Sequence, residues 1–93
     1  MLVLSRRVGE SIIIGNDIEI TPINISTREV LVKNGDNSSV VRIPLRNLYF
    51  ISPEIIIQIN RIQLYALSFY IHAPKNVPVD RMEIRKRKLL YPR

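Results

Sequence analysis

Isoleucine and valine occur in short runs, each closed within a few residues by Gly, Asn or Pro, and that punctuation favours strands over much of the chain. Ser11 to Ile14 is apolar, and Gly15-Asn16 has the composition of a two-residue hairpin turn, with Gly at the first position of a type II′ geometry. Ile18 and Ile20 then alternate with Glu19 and Thr21, a period of two that gives a strand one apolar and one wet face. Pro22 cannot donate to a ladder, and after it the apolar positions move to Ile23 and Ile25, which predicts an edge or a bulge. Met1 to Ser5 reads as a strand, as does Val30 to Lys33. Asn34-Gly35 is a hairpin signal with Val40 to Ile43 returning, and Asp36 to Ser39 predicts a longer connection between them.

The second half mixes signals. Leu45 to Ile51 fits either element. Ser52-Pro53-Glu54 carries a helix start, with Ser as cap, Pro at the first helical position and a carboxylate in the first turn. Ile55-Ile56-Ile57 opposes it, because β-branched side chains lose rotamer freedom in a helix. The Ser-Pro-Glu start predicts a helix from Pro53 to about Leu64, followed by a strand from Leu67 to His72. An Ala-Pro-Lys-Asn turn then leads to Val77, Val79 and Arg81, which alternate. Asp80 and Glu83 have capping-box spacing, so a short basic helix is expected from Arg81 or Met82 to about Leu90, closed off by Pro92.

With 93 residues and no cysteine, the chain is one short domain without a disulfide staple, and a second copy would supply the burial that one subunit lacks. A homodimer is the expectation. Lys and Arg outnumber Asp and Glu by 14 to 8, which favours a polyanionic partner. The excess is uneven: seven basic and two acidic residues fall between Lys75 and Arg93, against two and three between Met1 and Ile25. No apolar run approaches the roughly eighteen residues of a membrane span, and no secretory leader opens the chain, so a cytoplasmic protein is expected, with no membrane contact.

Catalysis finds no support. His72 is the single imidazole and sits in a turn context, Cys is absent, and the carboxylates are scattered. Asp17 and Glu19, two apart, are explained by a solvated strand face. The three glycines form neither a dinucleotide fingerprint nor a phosphate loop. No enzyme, metal or cofactor is expected, which leaves binding. The Arg85-Lys86-Arg87-Lys88 run is by itself either a solvated helix face or a phosphate-contacting one. RNA fits better than duplex DNA, since no helix-turn-helix or finger pattern is present and strand edges suit splayed single-stranded bases.

Two separated blocks sharpen this. Met1-Leu-Val-Leu-Ser-Arg-Arg-Val-Gly-Glu-Ser-Ile-Ile-Ile-Gly-Asn-Asp closely resembles the start of the bacterial carbon storage regulator family, called CsrA or RsmA. Phe69 to Ile84, with Ile-His-Ala-Pro-Lys-Asn-Val-Pro-Val-Asp-Arg-Met-Glu-Ile at its core, resembles the family's closing strands. The resemblance implies a mainly β fold, a small homodimer of interleaved strands with a short C-terminal helix. It implies an mRNA-binding translational regulator that recognises GGA-containing leader or hairpin-loop elements, with small regulatory RNAs as further partners. The family's two alike sites each join the first strand of one subunit to the last strand of the other.

Carried over by position, Leu4 matches the family's RNA-contacting leucine and Arg81 its key arginine, while Arg6 and Arg7 match basic positions near the site. Ala73, Pro74, Lys75, Val77 and Val79 match the turn and final strand, and Arg85 and Lys86 are expected to add phosphate contacts. The chain departs from the family by a mixed strand/helix insertion at about residues 22–66, leaving 1–21 and 67–93 as family-like segments of one domain spanning 1–93. Ser68 and Tyr70 stand where the family tends to have Arg and Gly, and Asp80 where it commonly has His, which sets a carboxylate beside Arg81. The insertion motivates an alternative, a protein-interaction module that modulates a homologous regulator or another partner and binds RNA only weakly.

Overall fold

The isoleucine alternation decides the architecture. In the computed structural model, which describes residues 2–90, nine strands precede one helix: β1 (Leu2–Arg7), β2 (Ile12–Ile14), β3 (Ile18–Asn24), β4 (Glu29–Asn34), β5 (Asn37–Arg42), β6 (Leu48–Ser52), β7 (Ile55–Ile62), β8 (Ala66–His72), β9 (Val79–Arg81) and α1 (Met82–Leu90). They form two antiparallel sheets, one ordered β1-β8-β7-β6 and the other β5-β4-β3-β2-β9. The mainly β expectation and the short C-terminal helix are both found. The expected closure of that helix by Pro92 lies outside the described residues.

The core forms where the apolar faces of the two sheets meet. Ile12, Ile14, Ile20 and Val30 from the five-stranded sheet and Ile57, Ile59, Leu67, Phe69 and Ile71 from the four-stranded one are all essentially inaccessible and belong to one cluster. Each such side chain contributes about 1.5–3 kcal/mol of burial. In β3 and β7 the buried residues alternate with half-buried ones, as a strand with one core-facing side requires.

The helix expected from Pro53 to about Leu64 is instead β7. Its first three isoleucines, with Ile59, alternate between the core and the outer face, so sheet packing overrides the Ser52-Pro53-Glu54 start signal. Ser52 pairs with Ile55, and Pro53-Glu54 is the two-residue turn between β6 and β7. Two turns also differ from expectation. Gly15-Asn16-Asp17 is a three-residue connection, since Ile14 pairs with Ile18. The β4–β5 hairpin is tight, with Asn34 opposite Asn37 and only Gly35-Asp36 between them. The irregularity expected at Pro22 is present as a register shift between Pro22 and Asn24.

The two sheets share one hydrogen-bonding plan. After β1 the Gly9 N–H donates to the Pro22 carbonyl (3.0 Å) and Glu10 N–H to Arg7 (3.0 Å). After β5, Arg46 N–H donates to Ile59 (2.8 Å) and Asn47 N–H to Pro44 (3.0 Å). The members of each pair stand 37 positions apart (9 to 46, 10 to 47, 22 to 59, 7 to 44). At the same spacing, Ile12–Ile20 pairing in one sheet corresponds to Tyr49–Ile57 in the other. The shift at Pro22/Asn24 likewise corresponds to that at Ile59/Arg61.

Gly9 and Arg46 even share the left-handed backbone, at φ 85° and 68°. Glycine adopts that conformation freely, whereas an arginine is strained by its Cβ. Arg46→Gly should therefore raise stability, by about 1 kcal/mol in urea denaturation, whereas Gly9→Ala should lower it. Phe69→Ala should cost about 3–5 kcal/mol by the same measurement, as the loss of a fully buried ring demands.

Candidate nucleic-acid interface

The first and last strands lie on different sheets yet meet at one end of the sandwich. In β1, Leu4 pairs with the buried Phe69 and Arg6 with the buried Leu67, so Leu4 and Arg6 share the inner face. In β9, Val79 pairs with Ile14 and Arg81 with Ile12, which places Val79 and Arg81 on the inner face of the other sheet. Leu4, Val77 and Val79 pack against the common core. Between the strands lies an open groove of about 300 Å³, with Leu2 and Ile71 on one side, Val77 and Val79 on the other, and Ala73-Pro74-Lys75 along it.

One ion pair fastens this junction. The Arg6 guanidinium is buried, 5% exposed for the whole residue. It forks onto Glu83 at the start of α1, Nη1 to Oε1 at 2.9 Å and Nη2 to Oε2 at 3.2 Å, while Nε donates to its own neighbour's carbonyl, Ser5, at 3.0 Å. A bidentate guanidinium–carboxylate contact fixes orientation as well as charge. The hydrogen bond from Arg6 holds the Glu83 carboxyl below its ordinary value. Met82 N–H donates to Ser11 (3.0 Å), closing the same corner through the backbone.

On the outer face, Asp80 organises the helix. It pairs across from Ile13 and accepts from Arg85 Nε at 2.8 Å and Lys88 Nζ at 2.8 Å. Arg85 also donates to the Gly15 carbonyl at 2.7 Å. Burial would raise the Asp80 carboxyl, but the hydrogen bonds and charges of Lys88 and Arg85 outweigh it and hold it below its ordinary 3.8. Asp80 and Glu83 therefore serve three ion pairs rather than the expected capping box. As neighbours along a strand, Asp80 and Arg81 point to opposite faces, so the carboxylate is turned away from the arginine.

The residues singled out from sequence thus separate by environment. Arg7, Lys75, Arg81 and Lys86 are exposed, Leu4, Ala73, Pro74, Val77 and Val79 half-buried, Arg85 drawn onto Asp80 and Arg6 buried. Among the described residues the Arg81 side chain makes no hydrogen bond or ion pair, while its backbone pairs with Ile12. Leu2 joins the groove without having been singled out, and Glu83 is the unforeseen partner of Arg6; 77 positions of chain separate that pair, so no local spacing signals it. No group of three or more His, Cys, Asp or Glu among the described residues is placed to hold a metal, and no helix among them is long and apolar enough to cross a membrane.

Comparison with known proteins points to the same strands. Residues 1–33 match the CsrA profile, described as a global regulator protein family. The N-terminal region is thus similar to that family over these residues. The translational regulator CsrA of Thermosipho africanus is 59% identical over 32 residues, which cover 34% of this chain and 44% of that protein. The translational regulator CsrA of Thermosipho melanesiensis is 49% identical over 49 residues, 53% of this chain and 64% of that protein. The chain therefore spans between two fifths and two thirds of the length of these relatives. No solved structure matches it. The matched stretch contains β1 to β3 and most of β4, and so one wall of the groove.

The lowered carboxyls carry a pH consequence. A carboxylate whose pKa is depressed on folding adds stability that is present above its unfolded value and is lost as pH falls through the folded one. Asp80→Asn should be less stable than the parent at pH 7, and the difference should narrow as pH falls below 3.8. Urea denaturation of both proteins at neutral pH and near pH 3 checks this.

Proposed function

We propose that the chain is a sequence-preferring mRNA-binding translational regulator that recognises GGA-containing leader or loop elements through the β1–β9 junction and acts by occupying them. The observation that carries this reading is the groove shared by Leu2 of β1, within the segment of CsrA character, and Val79 of β9, the strand that also carries the exposed Arg81. Splayed bases of single-stranded RNA need apolar surface, backbone polar groups and a cation together, and the junction offers all three. Leu2, Ile71 and the valines supply the apolar walls, with Leu4 packed against the core behind them. Arg81, exposed at the end of β9, is the forked donor for a base edge or phosphate. Ala73, Pro74 and Lys75 line the groove, and Arg7, Lys75 and Lys86 add field and phosphate contacts. Arg6 and Arg85, held inside by Glu83 and Asp80, act by positioning β1 and α1.

That the relatives are translational regulators supports the regulatory half of this reading. The basic excess supports a polyanionic target. The test is a titration at fixed salt of two RNA hairpins, one displaying GGA in its loop and one scrambled, against the parent and Arg81→Ala. The parent should prefer the GGA loop, and the variant should lose roughly tenfold or more of that preference, the scale of one bidentate contact. Preference unchanged by Arg81→Ala would remove Arg81 from the site. Lys86→Ala should weaken both hairpins alike and reduce the salt dependence.

A second reading has its own observation. The outer edge of β6 is unpaired, and it exposes Leu48 and Phe50 at 56% and 57%. Such an edge can accept a strand from a protein partner. Recovery of one stoichiometric partner, together with weak RNA binding indifferent to the loop sequence, would favour a protein-interaction module.

A further inference from the structure

The shared plan of the two sheets reaches beyond their turns. Shifting β1 through β3 by 37 positions superposes them on β5 through β7 in turn hydrogen bonds, in the bulge at Pro22/Asn24 and in pairing, except beside the β6–β7 turn, where a further shift sets Ser52 rather than Ile51 opposite Ile55. β4 and β8 correspond with a shift of 39: Ile20 pairs with Val32 in one sheet, and Ile57 with Ile71 in the other. The two extra positions fall between Arg61 and Ser68, where the β7–β8 hairpin is extended by the Ile62–Leu67 pair. Pairing on the next strand closes the set, since Val32 faces Ser39 as Ile71 faces Leu2. β5 to β7, within the residues expected as an insertion, thus repeat β1 to β3, and β8 repeats β4.

The repetition is incomplete at one place. After β8 the chain runs through Ala73 to Arg81 and lays β9 on the edge of β2. After β4 it turns at Gly35-Asp36 directly into β5, and the edge of β6 receives no strand. Val41 stands where the other half has Leu4, the buried Ile43 where it has Arg6, and Pro44 where it has Arg7. The hollow at this end is smaller, about 150 Å³, and Asn34, Asn37 and Ser39 are among the residues that line it. It has no counterpart of Arg81.

We infer that the chain is two fused copies of one strand unit, that a single molecule builds both sheets, and that only the β1–β9 junction is a complete site. One molecule then binds one single-stranded RNA element. The single-site half rests on the RNA reading above; the fused-body half rests on pairing alone. Burial that the size argument assigned to a second subunit is supplied from within, because each half of the chain gives the other its facing sheet. A regulator with one site cannot bridge two elements of one transcript, and it gains no avidity from their repetition.

Light scattering without RNA tests the body. The mass should be that of one chain and should stay so across about a hundredfold range of concentration, because a dimer's mass would follow mass action. A two-chain mass would overturn the fused body. Titration with single-loop and tandem-loop GGA hairpins tests the site: one single-loop RNA should bind per chain, and two chains should load onto each tandem RNA. The tandem RNA should bind no tighter than a statistical factor of about two, where bridging would add orders of magnitude. Two RNAs per chain, or a strong tandem gain by a one-chain body, would overturn the single site. A one-chain body that binds neither hairpin would overturn the single site together with the RNA reading, and would leave the fused body upheld by its mass.

Discussion

Neither sheet can bury its isoleucine face alone. A four- or five-stranded antiparallel sheet with one apolar side needs a partner surface, and here each sheet is that surface for the other. The requirement explains why the longest central strands, β3 and β7, carry the most regular alternation. It also explains why the polar ends of the chain are held at the margin by ion pairs rather than by burial. α1 buries none of its residues, so a nine-residue helix that is marginal alone depends on Glu83 with Arg6 and on Asp80 with Arg85 and Lys88.

These ion pairs connect stability to the site. Glu83 joins the strand that opens the chain to the helix that follows its last strand, and so sets the distance between the walls of the groove. A buried guanidinium is costly without its partner, so the contact is as much a constraint on where β1 lies as a source of stability. Asp80 performs the matching service on the outside, where it keeps α1 against β9 while Arg81 faces the other way. Adjacent strand residues thereby divide the work: one anchors the helix, the next remains available to a ligand.

The two ends of the sandwich show what a binding junction needs beyond a fold. Both ends have the same strand pairing, yet one has Leu4, a covering strand and a free arginine, and the other has Val41, an open edge and amide and hydroxyl side chains. A duplicated scaffold relieved of one site keeps its core, because the core residues alternate toward the partner sheet in both halves. The edge chemistry is free to diverge. The exposed Leu48 and Phe50 on β6 mark where the missing strand would have lain.

The strands themselves were largely legible in the residues. Ile18 and Ile20, Val30 to Lys33, and Leu67 to His72 announce their faces by period two, and Pro22 announces its bulge, because side-chain alternation and a missing donor are local properties. The basic helix to Leu90 was legible for the same reason. The nature of Pro53 to Leu64 was not: Ser52-Pro53-Glu54 satisfies a helix start in isolation, and only the sheet waiting to receive Ile55, Ile57 and Ile59 turns it into a hairpin. The repeat was present in Ile12-Ile13-Ile14 with Ile18 and in Tyr49-Phe50-Ile51 with Ile55, but so few identities survive that pairing register, not residue type, reveals it. Leu4 and Arg81 were singled out by the resemblance alone. That β1 and β9 border one groove, that Arg6 is spent on Glu83, and that the edge of β6 receives no strand among the described residues are decisions of tertiary structure, since each depends on contacts between segments far apart in the chain.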